Sequence, residues 1–140
     1  MKALRPLNFA VFIIGVFSLT AFMDIERTKI EGSPKFLIFI QTIDNGLKLT
    51  CEEGCAWKDL TFSLIQNKFQ AVDQYGMTSI NRAKPSKDKK LSNFLFSIQR
   101  TDNGIKLEGK EGTSWTMLNF TCKGDLCNQY IDQDGMIKKE

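Results

Sequence analysis

The sequence predicts an all-β fold of roughly eight antiparallel strands, built from two pseudo-repeated β meanders and packed as a sandwich or a closed barrel. Three observations carry this. The chain states almost the same phrase twice, "DNGLKLTCEEGCAW" from Asp44 to Trp57 and "DNGIKLEGKEGTSW" from Asp102 to Trp115. The residues before and inside each phrase alternate apolar and polar, the period of a half-buried strand. Short strand-like runs follow one another between Gly-containing turn signals, the spacing typical of sandwiches and barrels.

The first element is a targeting segment. "MKALRPLNFAVFIIGVFSLTAFM" (residues 1–23) has a basic start at Lys2 and Arg5, then an apolar run from Leu7 to Phe22. This is the layout of a secretory signal helix. Cleavage after Ala21 fits its end, with Leu19 larger than ideal at the third position before the cut. The rival reading is an uncleaved anchor, against which Asn8, Ser18 and Thr20 count. Either way the remaining domain, residues 24–140, is expected outside the cytoplasm: in the periplasm, at the cell surface or beyond.

Placing Phe36 on Phe94, an offset of 58, aligns "FLIFIQTIDNGLKLTCEEGCAWKDLTFSL" with "FLFSIQRTDNGIKLEGKEGTSWTMLNFTC"; about half the pairs are identical. A one-residue slip then brings Val72–Met77 onto Ile131–Met136. The halves run over residues 34–77 and 92–136. Two copies are too few for a solenoid, so they read as two parts of one domain related by a pseudo-twofold.

Asn45-Gly46 and Asn103-Gly104 are two-residue hairpin signals, whose central residues need positive φ. With Asp44 facing Leu47, Ile40 faces Cys51, and Phe36, Ile38, Ile40, Leu47, Leu49 and Cys51 share one apolar face. Phe94, Phe96, Ile98, Ile105 and Leu107 repeat it. Register and pattern agree, as a half-buried antiparallel pair requires. The next turn, "EEG" or "KEG", fits a three-residue loop ending in a left-handed Gly, which sets Cys51 opposite Cys55 and Leu49 opposite Trp57. Trp57 then differs in parity from Leu60, Phe62 and Leu64. A β-bulge near Lys58-Asp59, and its counterpart near Thr116-Met117, would bring both sets to one face; otherwise each Trp lies on the far face. A fourth strand is expected around Phe69–Val72 and again around Tyr130–Ile131. The linker 78–91, with Pro85, Arg82, Lys84, Lys87, Lys89 and Lys90, reads as a solvated basic connection that keeps sheet edges soluble.

Four cysteines in an exported domain read as two disulfides. The turns favour Cys51 with Cys55 and Cys122 with Cys127, each closing a short loop and contributing on the order of 2 kcal/mol in the entropy account. The spacing and setting fit neither a redox C-x-x-C at a helix start nor a zinc site. No metal or other cofactor is expected.

The chemistry is bounded by what the chain lacks. It contains no His, which removes Ser-His-Asp and Cys-His catalysis. A net charge of +3 demands no nucleic-acid partner. The acidic pair Glu52-Glu53 is expected in an exposed turn, without burial to raise a pKa for acid catalysis. "YIDQDGMI" (Tyr130–Ile137) places Asp132 and Asp134 like part of a calcium loop, but lacks its first ligand and closing Glu, so a turn is expected. Trp57 and Trp115 are the candidate ligand-binding residues, since exposed aromatics stack on sugars or anchor a partner. The competing reading puts both in the core, where large aromatics usually lie.

The run "DNGLKLTCEEGCAWKDLTF" with "QAVDQYGM" resembles a group of short exported proteins of Bacteroidetes-type bacteria, over most of residues 36–136. The resemblance implies bacterial export and a duplicated β fold, and attaches no activity and no catalytic residue. The expectation is therefore a non-enzymatic exported binding or interaction module, with a protein or glycan partner outside the cytoplasm and contact with membrane only if residues 1–23 stay attached. The alternative is a structural or accessory subunit of a bacterial envelope complex.

Overall fold

The computed structural model describes residues 34–64, 67–124 and 126–139; the signal segment expected at 1–23 lies outside them. Ten strands follow in order: β1 (Leu37–Ile43), β2 (Gly46–Glu53), β3 (Asp59–Phe62), β4 (Phe69–Asp73), β5 (Gly76–Thr78), β6 (Leu95–Arg100), β7 (Gly104–Glu111), β8 (Met117–Thr121), β9 (Asn128–Asp132) and β10 (Gly135–Ile137). They form two antiparallel five-stranded sheets, ordered β10-β9-β1-β2-β3 (sheet A) and β5-β4-β6-β7-β8 (sheet B). The fold is a sandwich and does not close into a barrel. The two strands beyond the expected eight are β5 and β10. Each has three residues, too few for alternation to register, and each is launched by a Gly with positive φ, Gly76 at 130° and Gly135 at 140°.

The two halves of the sequence exchange their ends. β1–β3 come from the first copy, but they share sheet A with β9 and β10 of the second. Sheet B joins β6–β8 to β4 and β5 of the first copy. Leu37 of β1 pairs with Asp132 of β9, and Leu95 of β6 pairs with Asp73 of β4. Each copy therefore crosses from one sheet to the other, and neither sheet is complete without both.

The expected inward faces are inward. Phe36, Ile38, Ile40, Leu47, Leu49, Phe94, Phe96, Ile98, Ile105 and Leu107 are all essentially solvent-free. Phe36 and Phe94, equivalent residues of the two copies, meet at the centre with ring centroids 4.5 Å apart.

The turns differ from expectation in an instructive way. Asp44 does not face Leu47. The ladder pairs Ile43 with Gly46, Thr42 with Leu47, Ile40 with Leu49 and Ile38 with Cys51. This register differs by two residues, so every side chain keeps its face. Neither Asn45 nor Gly46 has positive φ, and the same holds for Asn103 and Gly104. Glycine is needed there for space: a Cβ on Gly46 would collide with the backbone carbonyl of Phe62, and one on Gly104 with that of Phe120. The third strand of each copy, β3 or β8, runs too close for a side chain.

The connection from β2 to β3 is longer than a three-residue hairpin. Gly54 and Gly112 do take positive φ, at 83° and 67°, but the ladder resumes only where Thr50 pairs with Asp59 and Leu49 with Leu60. Cys51 donates its N–H to Lys58 O at 2.8 Å, so Lys58 rather than Cys55 stands opposite it. Trp57 belongs to this loop. The parity conflict is thus resolved by a loop, not by bulges at Lys58-Asp59 and Thr116-Met117. Register shifts occur instead in the β1–β2 ladder, between Leu37 and Ile38, and in the β6–β7 ladder, between Leu95 and Phe96.

Candidate binding face

The two Trp loops do the same work in both copies. Trp57 donates its indole N–H to Asp73 O at 2.9 Å, and Trp115 to Asp132 O at 2.9 Å. Beside them, Ala56 N–H reaches Gln74 O at 2.8 Å and Ser114 N–H reaches Gln133 O at 2.7 Å. Each loop thus hangs from one sheet and is tied to its own copy's last hairpin in the other sheet. Trp115 is buried and Trp57 packs half-buried against the core, so Trp115 offers no open ring for stacking. The indoles stitch the sheets together, each with its one polar atom satisfied as a buried Trp requires.

Cys51–Cys55 and Cys122–Cys127 are disulfides, and no described cysteine is free. The second copy closes the first loop without sulfur: Thr113 Oγ1 donates to Trp115 O at 2.8 Å. Gly109 stands where Cys51 stood because a Cβ there would strike Thr113 and the Trp115 carbonyl. The later disulfide borders a shallow polar depression of about 280 Å³ lined by Thr42, Arg100, Asn103 and Thr121, with Leu126 exposed nearby. Among the described residues no three His, Cys, Asp or Glu gather to hold a metal. Asp132 instead shapes the β9–β10 turn, its Oδ1 accepting the N–H groups of Asp134 and Gly135.

Duplication supplies a control for the outer faces, because the same positions can be compared on both sheets. On sheet B the linker lies across the face. Arg82, expected in solvent with the linker lysines, is largely buried: its Nε meets Asp73 Oδ2 at 2.7 Å, with both side chains under a tenth exposed. Its Nη2 lies 3.5 Å from Glu111 Oε2 and 3.4 Å from Phe94 O. Asp73 and Glu111 both pair with Leu95, one from each neighbouring strand. The guanidinium bridges the two acids, and beneath the linker Ala71, Leu95 and Ser97 are buried. Lys84, Lys87, Lys89 and Lys90 are exposed, as the sequence implied.

On sheet A the equivalent positions are Leu37 for Leu95, Phe39 for Ser97, Tyr130 for Ala71, Ile137 for Thr78, and Asp132 and Glu53 for Asp73 and Glu111. Leucine is kept at 37 and 95, but Ser97, Ala71 and Thr78 are replaced by Phe39, Tyr130 and Ile137, and all four of Leu37, Phe39, Tyr130 and Ile137 are partly exposed. Phe39 and Tyr130 stack across the strands at 4.4 Å. Tyr130 OH donates to Glu52 Oε1 at 2.9 Å, Lys139 Nζ pairs with Glu52 Oε2 at 2.8 Å, and the same Nζ lies 4.8 Å from the Tyr130 ring centre. The Lys139 ammonium and then the Tyr130 hydroxyl hold the Glu52 carboxyl below its ordinary range, the direction opposite to that of a general acid. On the same face Thr50 and Lys48 hold Asp59 low. Sequence reasoning missed this face. Its signal was Phe39, an aromatic at a polar-facing position where the other copy has Ser97.

The residues thus define a duplicated, strand-exchanged β-sandwich whose sheet B is crossed by the linker at Arg82, with Phe69 and Met117 exposed beside it, and whose sheet A carries partly exposed Phe39 and Tyr130 with no strap across them among the described residues. Comparison with protein-family models, curated proteins and solved structures finds no match to this chain.

Proposed function

We propose that this protein is an exported, non-enzymatic binding module whose contact surface is the outer face of sheet A. The observation that carries the reading is the inequality of the two faces. A duplicated fold lays its own linker over part of one face, with the small residues Ala71 and Ser97 buried beneath it beside Leu95. The same positions on the other face carry Phe39 and Tyr130, with Ile137 in place of Thr78, and the two aromatics are pre-positioned by stacking and by the Glu52–Lys139 pair. Rigid aromatic surface with a charged rim is what association uses at low ordering cost. Two disulfides are compatible with an oxidising compartment outside the cytoplasm. The non-enzymatic part of the reading rests on the absence of His from the sequence and on Glu52 being held ionised by its partners.

The test converts one face into the other. A photo-crosslinking residue at Gln41, on the same face, is introduced into the protein in its native host. A specific adduct is expected, and it should vanish in the double variant Phe39→Ser, Tyr130→Ala, with circular dichroism confirming the fold. Adducts of unchanged yield in the folded double variant would refute the reading.

A further inference from the structure

The contacts of the strap on sheet B have a counterpart arrangement of residues on the outer face of sheet A. Arg82 is held by an acid on each side of a central leucine: Asp73 and Glu111, both in register with Leu95. Sheet A repeats the arrangement, with Asp132 and Glu53 both in register with Leu37. The details match. Asp73 uses Oδ1 to accept the N–H of Tyr75 in its turn, leaving Oδ2 for Arg82. Asp132 likewise uses Oδ1 for the Asp134 and Gly135 amides, and no partner engages its Oδ2 among the described residues. Glu53 is exposed and its carboxylate has no ion-pair partner among them. The other acids of this face are already matched, Glu52 by Lys139 and Asp59 by Lys48. The leftover negative charge therefore sits at the two positions whose counterparts grip a guanidinium.

From this equivalence we infer that the Asp132–Leu37–Glu53 cradle binds an arginine-bearing segment of a partner protein, which lies over sheet A as residues 79–93 lie over sheet B. The inference rests on the binding-module reading and names the chemistry of its partner. Arginine suits the site better than lysine. Its planar fork reaches two acids at once, whereas an ammonium is a single point charge. The partner's apolar side chains then meet Phe39 and Tyr130, where in sheet B Ile80 of the strap lies beside Ser97 at the rim of one cavity.

The probe is a synthetic peptide with the sequence of residues 79–93, titrated into the full exported chain and followed by amide NMR. Saturable binding is expected, with the largest shifts at Leu37 and Phe39 and weakening as salt rises. Changing the peptide's arginine to alanine, or the protein by Asp132→Asn with Glu53→Gln, should weaken it at least about tenfold. An asparagine side chain at position 132 retains the Oδ1 acceptor of the turn, so the fold is kept. Binding insensitive to both changes, or no binding, overturns the inference. Shifts centred on Leu95 also overturn it, since the peptide would then be exchanging with the strap. If the Gln41 adduct survives Asp132→Asn with Glu53→Gln but not Phe39→Ser with Tyr130→Ala, the arginine chemistry fails while the binding face stands.

Discussion

Gly46 and Gly104 show how a residue can be read correctly for the wrong reason. Asn-Gly signals a turn, and a turn is there, but the glycines do not occupy left-handed φ. They are the first strand residues after it, pressed against the carbonyls of Phe62 and Phe120. That close approach belongs to β3 and β8, which return past the Trp loop to pair with the strands these glycines begin, so the turn itself carried no sign of it. Gly104→Ala must push β8 away from β7, and the cost expected of such overpacking is about 1–3 kcal/mol. Gly124→Asn is the control. Gly124 has φ of 72° with nothing near its absent Cβ, and Asn tolerates that region, so little change is expected. Urea denaturation of the two variants measures both. Phe39 is the converse case: the sequence displayed the anomaly against Ser97, but its meaning needed β9 to be placed beside β1.

At the scale of elements, the hairpins and their apolar faces were legible because period-2 alternation survives a two-residue change of register. The strap was not, because a lysine-rich run reads as solvent-facing unless its one buried member is known. Arg82 and Asp73 form that buried pair, and removing one charge strands the other. Arg82→Ala is expected to cost about 3–5 kcal/mol and to open the linker lysines to trypsin. The double change Arg82→Met, Asp73→Leu should recover much of this loss, since apolar replacement of a buried pair is often neutral or better. Equal damage from the single and double changes would mean that packing of the strap, not its charge, holds it. The open face has its own electrostatic signature. Glu52 is held below its ordinary value of 4.5 by Lys139 first and Tyr130 second, and Lys139 is held above 10.5 by Glu52. Because the folded carboxyl is the stronger acid, its contribution is fully present above 4.5 and disappears as the pH falls through the lowered value. Seen from Lys139, the same contact is fully present below 10.5 and is lost as the pH rises through the raised value. Glu52→Gln should therefore flatten the acid limb of the stability curve between about pH 5 and 2, as thermal melts across that range would record.

For the whole molecule, duplication was readable from the aligned phrases, but exchange of the ends was not. Nothing in a repeat states whether its fourth strand returns to its own sheet or crosses to the other. The crossing follows from geometry at Trp57 and Trp115: each loop on one sheet reaches a carbonyl on the opposite one, so the last hairpin of each copy must lie across the core from its first three strands. Leu37 pairs with Asp132, 95 residues away, and β1 would be an open edge without β9. A fragment of residues 34–93 would therefore possess three strands of one sheet and two of the other, with Phe36, Ile38 and Ile40 unroofed by Phe94, Phe96 and Ile98. Such a fragment buries too little apolar surface to offset its chain entropy. Alone it should show no cooperative thermal transition, and a fragment of residues 94–140 should behave likewise. Mixed in equal amounts, the two should regain the transition, because every interrupted ladder is restored while only the strand-free linker is cut. Calorimetry of each fragment and of the mixture is the measurement. Independent cooperative unfolding of either fragment would show that a copy closes on itself, and the pairing of β1 with β9 would then be an incidental rather than a defining contact of the fold.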